Sequence, residues 1–106
     1  MIQMTKFQII PLSMVTKEGL QRVDIRYHAS RPGHLQLSVY RENSAVAEQV
    51  PVALNSGTGT VSVLLPEPEE SFPAIWVLTD RNGRELARTE VVWSKPRHRT
   101  ILITVW

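Results

Sequence analysis

Three histidines, His28, His34 and His98, are the side chains of this sequence best suited to bind a metal. A zinc site needs three or four nitrogen, sulfur or oxygen ligands that converge on one point. His28 and His34 flank the turn formers Arg31-Pro32-Gly33, which place the two rings on consecutive strands. We expect these strands to lie in opposite sheets, so that the rings diverge. The spacing therefore predicts surface histidines and no metal site.

Glu67, Glu69 and Glu70 form the one acidic cluster of the chain. Hydrolysis of a glycoside needs two carboxyl groups roughly 5 to 10 Å apart across the sugar, one of them enclosed so that its pKa rises. Pro66 and Pro68 break this segment, because proline cannot donate to a strand ladder. The cluster is therefore predicted to be a solvated loop that bridges two sheets.

Other catalytic and cofactor-binding motifs are absent from the sequence. The chain has no cysteine, which removes disulfides, thiolate catalysis and cysteine-ligated zinc. It contains neither a phosphate-binding loop nor a nucleophile elbow. Gly57-Thr58-Gly59 lacks the helix and the third glycine of a dinucleotide site. We therefore predict no catalytic site and no cofactor in this chain.

Composition predicts one ordinary core and limits the partners. The 106 residues carry a net charge of only +2, with Lys and Arg interspersed among Asp and Glu, and this argues against nucleic acid as a partner. No segment approaches the roughly 20 apolar residues of a membrane span, and no signal-peptide pattern opens the chain. We expect no membrane partner, and a cytoplasmic location if Met1 is the native start.

Apolar residues recur at every second position, which is the pattern of half-buried strands. Val23, Ile25 and Tyr27, for example, alternate with polar and charged residues. Asn82-Gly83 tolerates positive φ and predicts a type I′ turn in the last hairpin. Strands are predicted at about 3–12, 20–28, 34–41, 47–54, 59–65, 73–79 and 84–93.

Seven short strands, separated by turn formers and with no long helical pattern, predict an all-β fold. The best match is a seven-stranded immunoglobulin/fibronectin-III-like antiparallel β-sandwich. Residues 42–54 carry mixed signals, because Ala45 to Glu48 also fit a helical turn and Pro51 restricts their strand to an edge. Trp76 lies in a run that is apolar on both faces and is predicted to fill the core.

The chain changes character after Trp93. Residues 95–99 are polar and broken by Pro96, which predicts a linker. Residues 100–106 form an apolar run without alternation, as in a strand buried on both faces. We therefore divide the chain into a sandwich domain, 1–94, a linker, and the first strand of a following domain. An extra edge strand of the sandwich is the alternative for the last segment.

The stretch from Leu20 to Trp93 resembles the immunoglobulin-like accessory domains of bacterial carbohydrate-acting enzymes, in Val23–Tyr27, Gly57–Val63 and Asp80–Ala87. The stretch from Trp93 to Ile103 resembles the junction at which an N-terminal sandwich passes into the catalytic domain of family 38 α-mannosidase-like glycoside hydrolases.

In that family the apolar strand leads to a motif with zinc-ligating His and Asp. Thr104-Val105-Trp106 does not match the approach to this motif, and Arg99 stands where an aromatic residue is common. No zinc ligand or catalytic carboxylate is carried over.

This resemblance implies a non-catalytic accessory domain whose partner is its own downstream catalytic domain. Trp93 would pack under the linker, face that partner, or stack on a sugar ring. Two alternatives stay open: a carbohydrate-binding module, which makes carbohydrate a second candidate partner, and a structural immunoglobulin-like repeat of a surface protein. The residues predicted at the interdomain contact are Trp93, Lys95, Pro96, Arg97 and His98.

Overall fold

The computed structural model describes residues 2–43 and 45–96 and the backbone of Thr100–Ile101, and every regular element in this part is a strand. The prediction of an all-β fold with seven antiparallel strands is confirmed, although the first strand extends further than predicted. Across the described residues, no helix has the length and apolar character required to cross a bilayer. The strands are β1 (Met4–Val15), β2 (Leu20–Ala29), β3 (Gly33–Tyr40), β4 (Val46–Leu54), β5 (Gly57–Pro66), β6 (Phe72–Thr79), β7 (Glu85–Trp93) and β8 (Thr100–Ile101).

The strands form two sheets that pack as a β-sandwich. The first sheet has the order β5-β2-β1-β8 and the second has the order β4-β3-β6-β7. Consecutive strands β2 and β3 lie in different sheets, as the sequence predicts. Neighbours among β1 to β7 are antiparallel within each sheet, and β8 runs parallel to β1.

The core lies between the sheets and is built from the inward positions of the alternating pattern. Trp76 is fully buried in β6, between β3 and β7, which confirms its prediction as core. Burying a large apolar side chain contributes roughly 1.5–3 kcal/mol, so this layer supplies most of the driving force. The core includes Val23, Ile25 and Tyr27 of β2, Leu35, Leu37 and Val39 of β3, and Val63 and Leu65 of β5.

The ambiguous segment at residues 42–54 resolves into a strand at the edge of the second sheet. Strand β4 begins at Val46, so Ala45 to Glu48 do not form a helical turn. It pairs with β3 alone, and Pro51 lies opposite Gln36. An edge strand tolerates this proline, because one side of its backbone has no ladder to complete.

The last hairpin lies where the sequence predicts it, but its turn is of another type. The Gly83 amide donates to the Asp80 carbonyl at 3.0 Å, and the Asp80 amide donates to the Arg84 carbonyl at 2.9 Å. The turn therefore centres on Arg81-Asn82, and Gly83 follows with a φ of 81°. Asp80 Oδ1 accepts hydrogen bonds from the amides of Asn82 and Arg84. The predicted type I′ turn on Asn82-Gly83 is wrong, because Asp80 stabilises this longer loop.

Tyr27 and Gly59 make a close contact across β2 and β5 that only glycine permits. The two residues are cross-strand partners, and a Cβ on Gly59 would lie 2.8 Å from the Tyr27 hydroxyl oxygen. That hydroxyl accepts a hydrogen bond from the Asn55 amide at 3.1 Å. The ring is buried, so it has little room to move away. Tyr27 thus joins β2 to the connection between β4 and β5.

Substitution of Gly59 by alanine tests this contact. We expect Gly59→Ala to lower the free energy of unfolding by about 1–3 kcal/mol, because the new methyl group overpacks the buried ring. Urea denaturation of the variant measures the change. In a Tyr27→Phe background, which removes the nearest atom, the cost of Gly59→Ala should be smaller. Thr60→Ala, at an exposed position of the same strand, serves as the control. Equal midpoints for Gly59→Ala and the wild type would contradict the packing argument.

Candidate functional site

The end of β7 is the first candidate site, because Trp93 begins the predicted interdomain contact. Trp93 is 2% exposed. Its ring centroid lies 5.4 Å from that of Trp76 and 5.6 Å from that of Phe72, both in tilted geometry. Tilted aromatic pairs at these distances are stabilising. The ring is therefore packed within the sandwich, and it leaves no open face on which a sugar could stack.

Gln21 is a buried polar residue that binds Trp93 and two backbone carbonyls. It is 1% exposed. Its Oε1 accepts a hydrogen bond from Trp93 Nε1 at 2.9 Å, and its Nε2 donates to the carbonyls of Leu12 at 2.8 Å and Ser94 at 3.1 Å. Both amide hydrogens and the amide oxygen are thus used. Gln21 connects β1, β2 and the end of β7 from inside the core.

The chain beyond Trp93 is held at the surface by further hydrogen bonds. The Lys95 amide donates to Ser71 Oγ at 2.8 Å, and Lys95 Nζ donates to the Glu69 carbonyl at 3.0 Å. Pro96 follows and lines a shallow surface depression together with residues 11–13 of β1. We call residues 93–96 the exit segment. Its direction relative to the sandwich is fixed at three consecutive residues.

Two residues of the predicted interdomain contact are not among the residues that the structure describes. Arg97 and His98 fall outside the described residues, as do residues 102–106. Thr100–Ile101 pair in parallel with Met14–Val15, so the chain forms a short edge strand at these two residues. The interdomain role of Trp93, Lys95, Pro96, Arg97 and His98 stays a prediction.

The histidines are separated as the strand assignment requires. His28 lies on β2, with Nδ1 2.8 Å from Thr58 Oγ1, and His34 lies on β3 of the other sheet. His98 is outside the described residues. Within the described part of the chain, no three His, Cys, Asp or Glu residues are grouped as metal ligands.

The acidic cluster lies in the loop that runs from β5 in the first sheet to β6 in the second, as predicted. Glu69 and Glu70 are exposed, whereas Pro68 is buried. The Glu67 amide donates to the Gly19 carbonyl at 2.9 Å, and the Glu69 carbonyl accepts from Lys95. Both hydrogen bonds use backbone atoms of the loop, and the second one joins the loop to Lys95 of the exit segment.

The outer face of the first sheet is the second candidate site. Strand register places Lys6 opposite His28, Arg26 opposite Thr60, and Asp24 opposite Ser62. Directly opposed residues point to the same side of a sheet. Among the described residues, three cations and a single carboxylate therefore share this face. We call it the basic face, and its members are Lys6, Gln8, Ile10, Arg22, Asp24, Arg26, His28, Thr58, Thr60, Ser62 and Leu64.

Asp24 is held in its ionised form at the centre of the basic face. Burial tends to raise its pKa, but hydrogen bonds from Arg22 and Ser62 and the charges of Arg22 and Arg26 outweigh burial and lower the pKa from its ordinary value of 3.8. Arg22 Nε lies 2.9 Å and Ser62 Oγ 2.7 Å from Asp24 Oδ1. Asp24 therefore neutralises Arg22 at neutral pH.

Sequence reasoning missed both Gln21 and the basic face. Gln21 precedes Val23, Ile25 and Tyr27 at the same period of two, so a polar residue at an inward position was a visible signal. The basic face gave no such signal, because it depends on which strands become neighbours.

Comparison with known proteins gives no match, neither to a protein-family model nor to a curated protein. A function for this chain therefore rests on its fold and its two candidate surfaces.

Removal of the Gln21 amide tests the hydrogen bonds at the exit segment. We expect Gln21→Leu to lower the free energy of unfolding by about 1–3 kcal/mol, because the Trp93 indole N–H is left buried without a partner. Urea unfolding followed by tryptophan fluorescence measures the effect. In a Trp93→Phe background, where no indole N–H remains, the cost of Gln21→Leu should fall. Gln8→Leu, on the exposed side of the same sheet, is the matched control. A loss for Gln21→Leu no larger than for Gln8→Leu would refute this role.

The lowered pKa of Asp24 predicts a pH dependence. On acidification the unfolded chain binds a proton at Asp24 before the folded chain does, so the contribution of Asp24 to stability is present above pH 3.8 and is lost as the pH falls through the lower folded-state value. We expect Asp24→Asn to cost less than about 1 kcal/mol near neutrality, because the pair lies at the surface. The difference between wild type and variant, measured by urea unfolding, should shrink towards about pH 2. A difference that grows on acidification would contradict the assignment.

Proposed function

We propose that this chain is a non-catalytic accessory domain of a multidomain carbohydrate-acting enzyme of the α-mannosidase-like glycoside hydrolase kind. Its task is to hold the catalytic domain that follows it at a defined orientation. The single observation that carries the proposal is the exit segment, whose direction is fixed by hydrogen bonds at Trp93, Ser94 and Lys95. A freely moving tether has no need of such bonds.

The strand order supports an immunoglobulin-like or fibronectin-like topology for this domain. In immunoglobulin sandwiches the first, second and fifth strands share one sheet and the third, sixth and seventh share the other; the constant type places its fourth strand in the first sheet, whereas the variable type adds strands to the second. The orders β5-β2-β1 and β3-β6-β7 fit the shared part of this arrangement, and β4 extends the second sheet at its edge.

The resemblance of residues 93–103 to the junction in family 38 enzymes supplies the choice of parent enzyme. In that family a polar junction follows the sandwich and leads into the catalytic domain. The exit segment occupies the beginning of this stretch. Lys95 is anchored by Ser71 and Glu69. The contact with the next domain is proposed to continue from there.

The alternative of a carbohydrate-binding module that stacks sugars on exposed aromatic rings has no comparable support. Tyr27, Trp76 and Trp93 are buried, and none of the aromatic side chains in the described residues is largely exposed. Modules that stack on neutral sugars need such rings on their surface. We therefore do not advance sugar stacking as a second function.

The gene beyond the codon for Trp106 provides the first test. We expect the reading frame to continue into a larger domain that carries the catalytic residues. The full gene product should hydrolyse para-nitrophenyl α-mannoside, whereas the 106-residue chain alone should not. A stop codon directly after Trp106, or hydrolysis by the isolated chain, would overturn the proposal.

Rigidity of the exit segment is tested in the full gene product by small-angle X-ray scattering. We expect Ser71→Ala combined with Lys95→Ala to broaden the distribution of interdomain distances, because two anchors of the exit segment are lost. Lys17→Ala, an exposed lysine in the loop between β1 and β2, is the control for loss of charge. Identical scattering from the double variant and the wild type would show that these anchors do not set the orientation.

A further inference from the structure

The basic face combines two unpaired cations with a row of hydroxyl groups. Arg22 is neutralised by Asp24, but Lys6 and Arg26 make no ion pair among the described residues. Both are exposed. Lys6 is the diagonal neighbour of Arg26 across β1 and β2, and such positions lie about 7–8 Å apart. The two cations without an ion pair therefore lie close together, where β1 and β2 are paired.

Hydrogen-bonding groups extend this charged surface to the edge strand. Thr58, Thr60 and Ser62 lie at alternate positions of β5, opposite His28, Arg26 and Asp24. Gln8 adds an amide next to Arg26 on the other side. Cations, hydroxyls and an amide thus follow one another at the spacing of a sheet, and Ile10 and the exposed Leu64 border them next to Asp24 and Arg22.

We propose that the basic face binds an anionic polysaccharide, with Arg26 and Lys6 each facing a carboxylate of the polymer. Arginine forms two parallel hydrogen bonds with a carboxylate, and lysine acts as a point charge beside it. The sugar hydroxyls would bond to Thr60, Gln8 and their neighbours. A flat sheet face fits an extended polymer better than a compact ligand, which requires a concave pocket.

The same face is poorly suited to nucleic acid. Proteins that bind single strands stack the bases on aromatic side chains, and no aromatic residue belongs to the basic face. Duplex DNA is read by a helix or ribbon that enters a groove, whereas this surface is the broad side of a sheet across β5, β2 and β1. Uronate polymers match both the charge and the hydroxyl-rich surface.

This binding surface does not rest on the proposed accessory role. It uses the outer side of the first sheet, while the accessory role depends on the exit segment at the end of β7. Either proposal can therefore fail while the other holds.

Titration of the 106-residue chain with polygalacturonate, followed by calorimetry at about 20 mM NaCl, tests the inference. We expect binding to polygalacturonate and none to neutral dextran. Binding should be lost at about 300 mM NaCl, because exposed charges are screened. Lys6→Gln and Arg26→Gln should each weaken binding about fivefold, because each removes one cation from beside the anionic polymer. Asp24→Asn should strengthen binding, because Arg22 then loses its ion pair with Asp24 and is free to contact the polymer.

A double variant, Lys17→Gln with Arg81→Gln, removes the same charge from loops outside the basic face and should bind within about twofold of the wild type. Circular dichroism confirms that each variant is folded. Absence of binding to polygalacturonate would overturn the inference. An equal loss of affinity in this control and in the combined variant Lys6→Gln with Arg26→Gln would overturn it as well. Tighter binding of single-stranded DNA than of polygalacturonate at the same ionic strength would also overturn it.

Discussion

The hydrogen bonds of Gln21 are the interaction on which the rest of this structure depends. A buried amide is costly unless all of its polar atoms are paired, and the loss of one partner costs about 1–3 kcal/mol. Gln21 meets this condition through Trp93, Leu12 and Ser94. Because these partners come from β1 and the end of β7, the amide joins the two sheets at this end of the sandwich. A shift of one sheet against the other would leave buried polar atoms unpaired, which is costly in a low dielectric.

Strand β2 carries both the buried Gln21 and residues of the basic face. Gln21 points into the core and fixes the exit segment, while its neighbour Arg22 points outwards and belongs to the basic face. The pleat separates the two roles, since successive side chains of a strand point to opposite sides. The first sheet therefore has an inner side that positions the end of the chain and an outer side that presents charge. Substitutions on one side leave the other largely unaffected when they are far apart and share no partner.

The predictability of each feature follows from the range of the interactions that determine it. The strands were predictable because the alternation of Val23, Ile25 and Tyr27 with charged residues is local. Pro51 marked an edge strand for an equally local reason. The turn at Asn82-Gly83 was predicted with the wrong type, because the side chain of Asp80 competes with the simpler hairpin. The neighbours of Gln21 were not predictable, since Trp93 is 72 residues away in the chain.

Charge that is evenly mixed in a sequence is not evenly mixed on a sheet. Arg22, Asp24 and Arg26 are separated by apolar residues in the chain, yet all three point outwards, and β1 adds Lys6 beside them. Nine of the ten acidic residues of the chain lie elsewhere, so a net charge of +2 conceals a face with three cations and one carboxylate. Interspersed charges in a sequence therefore do not exclude a charged surface, because the period of two of a strand sorts alternate residues onto one face.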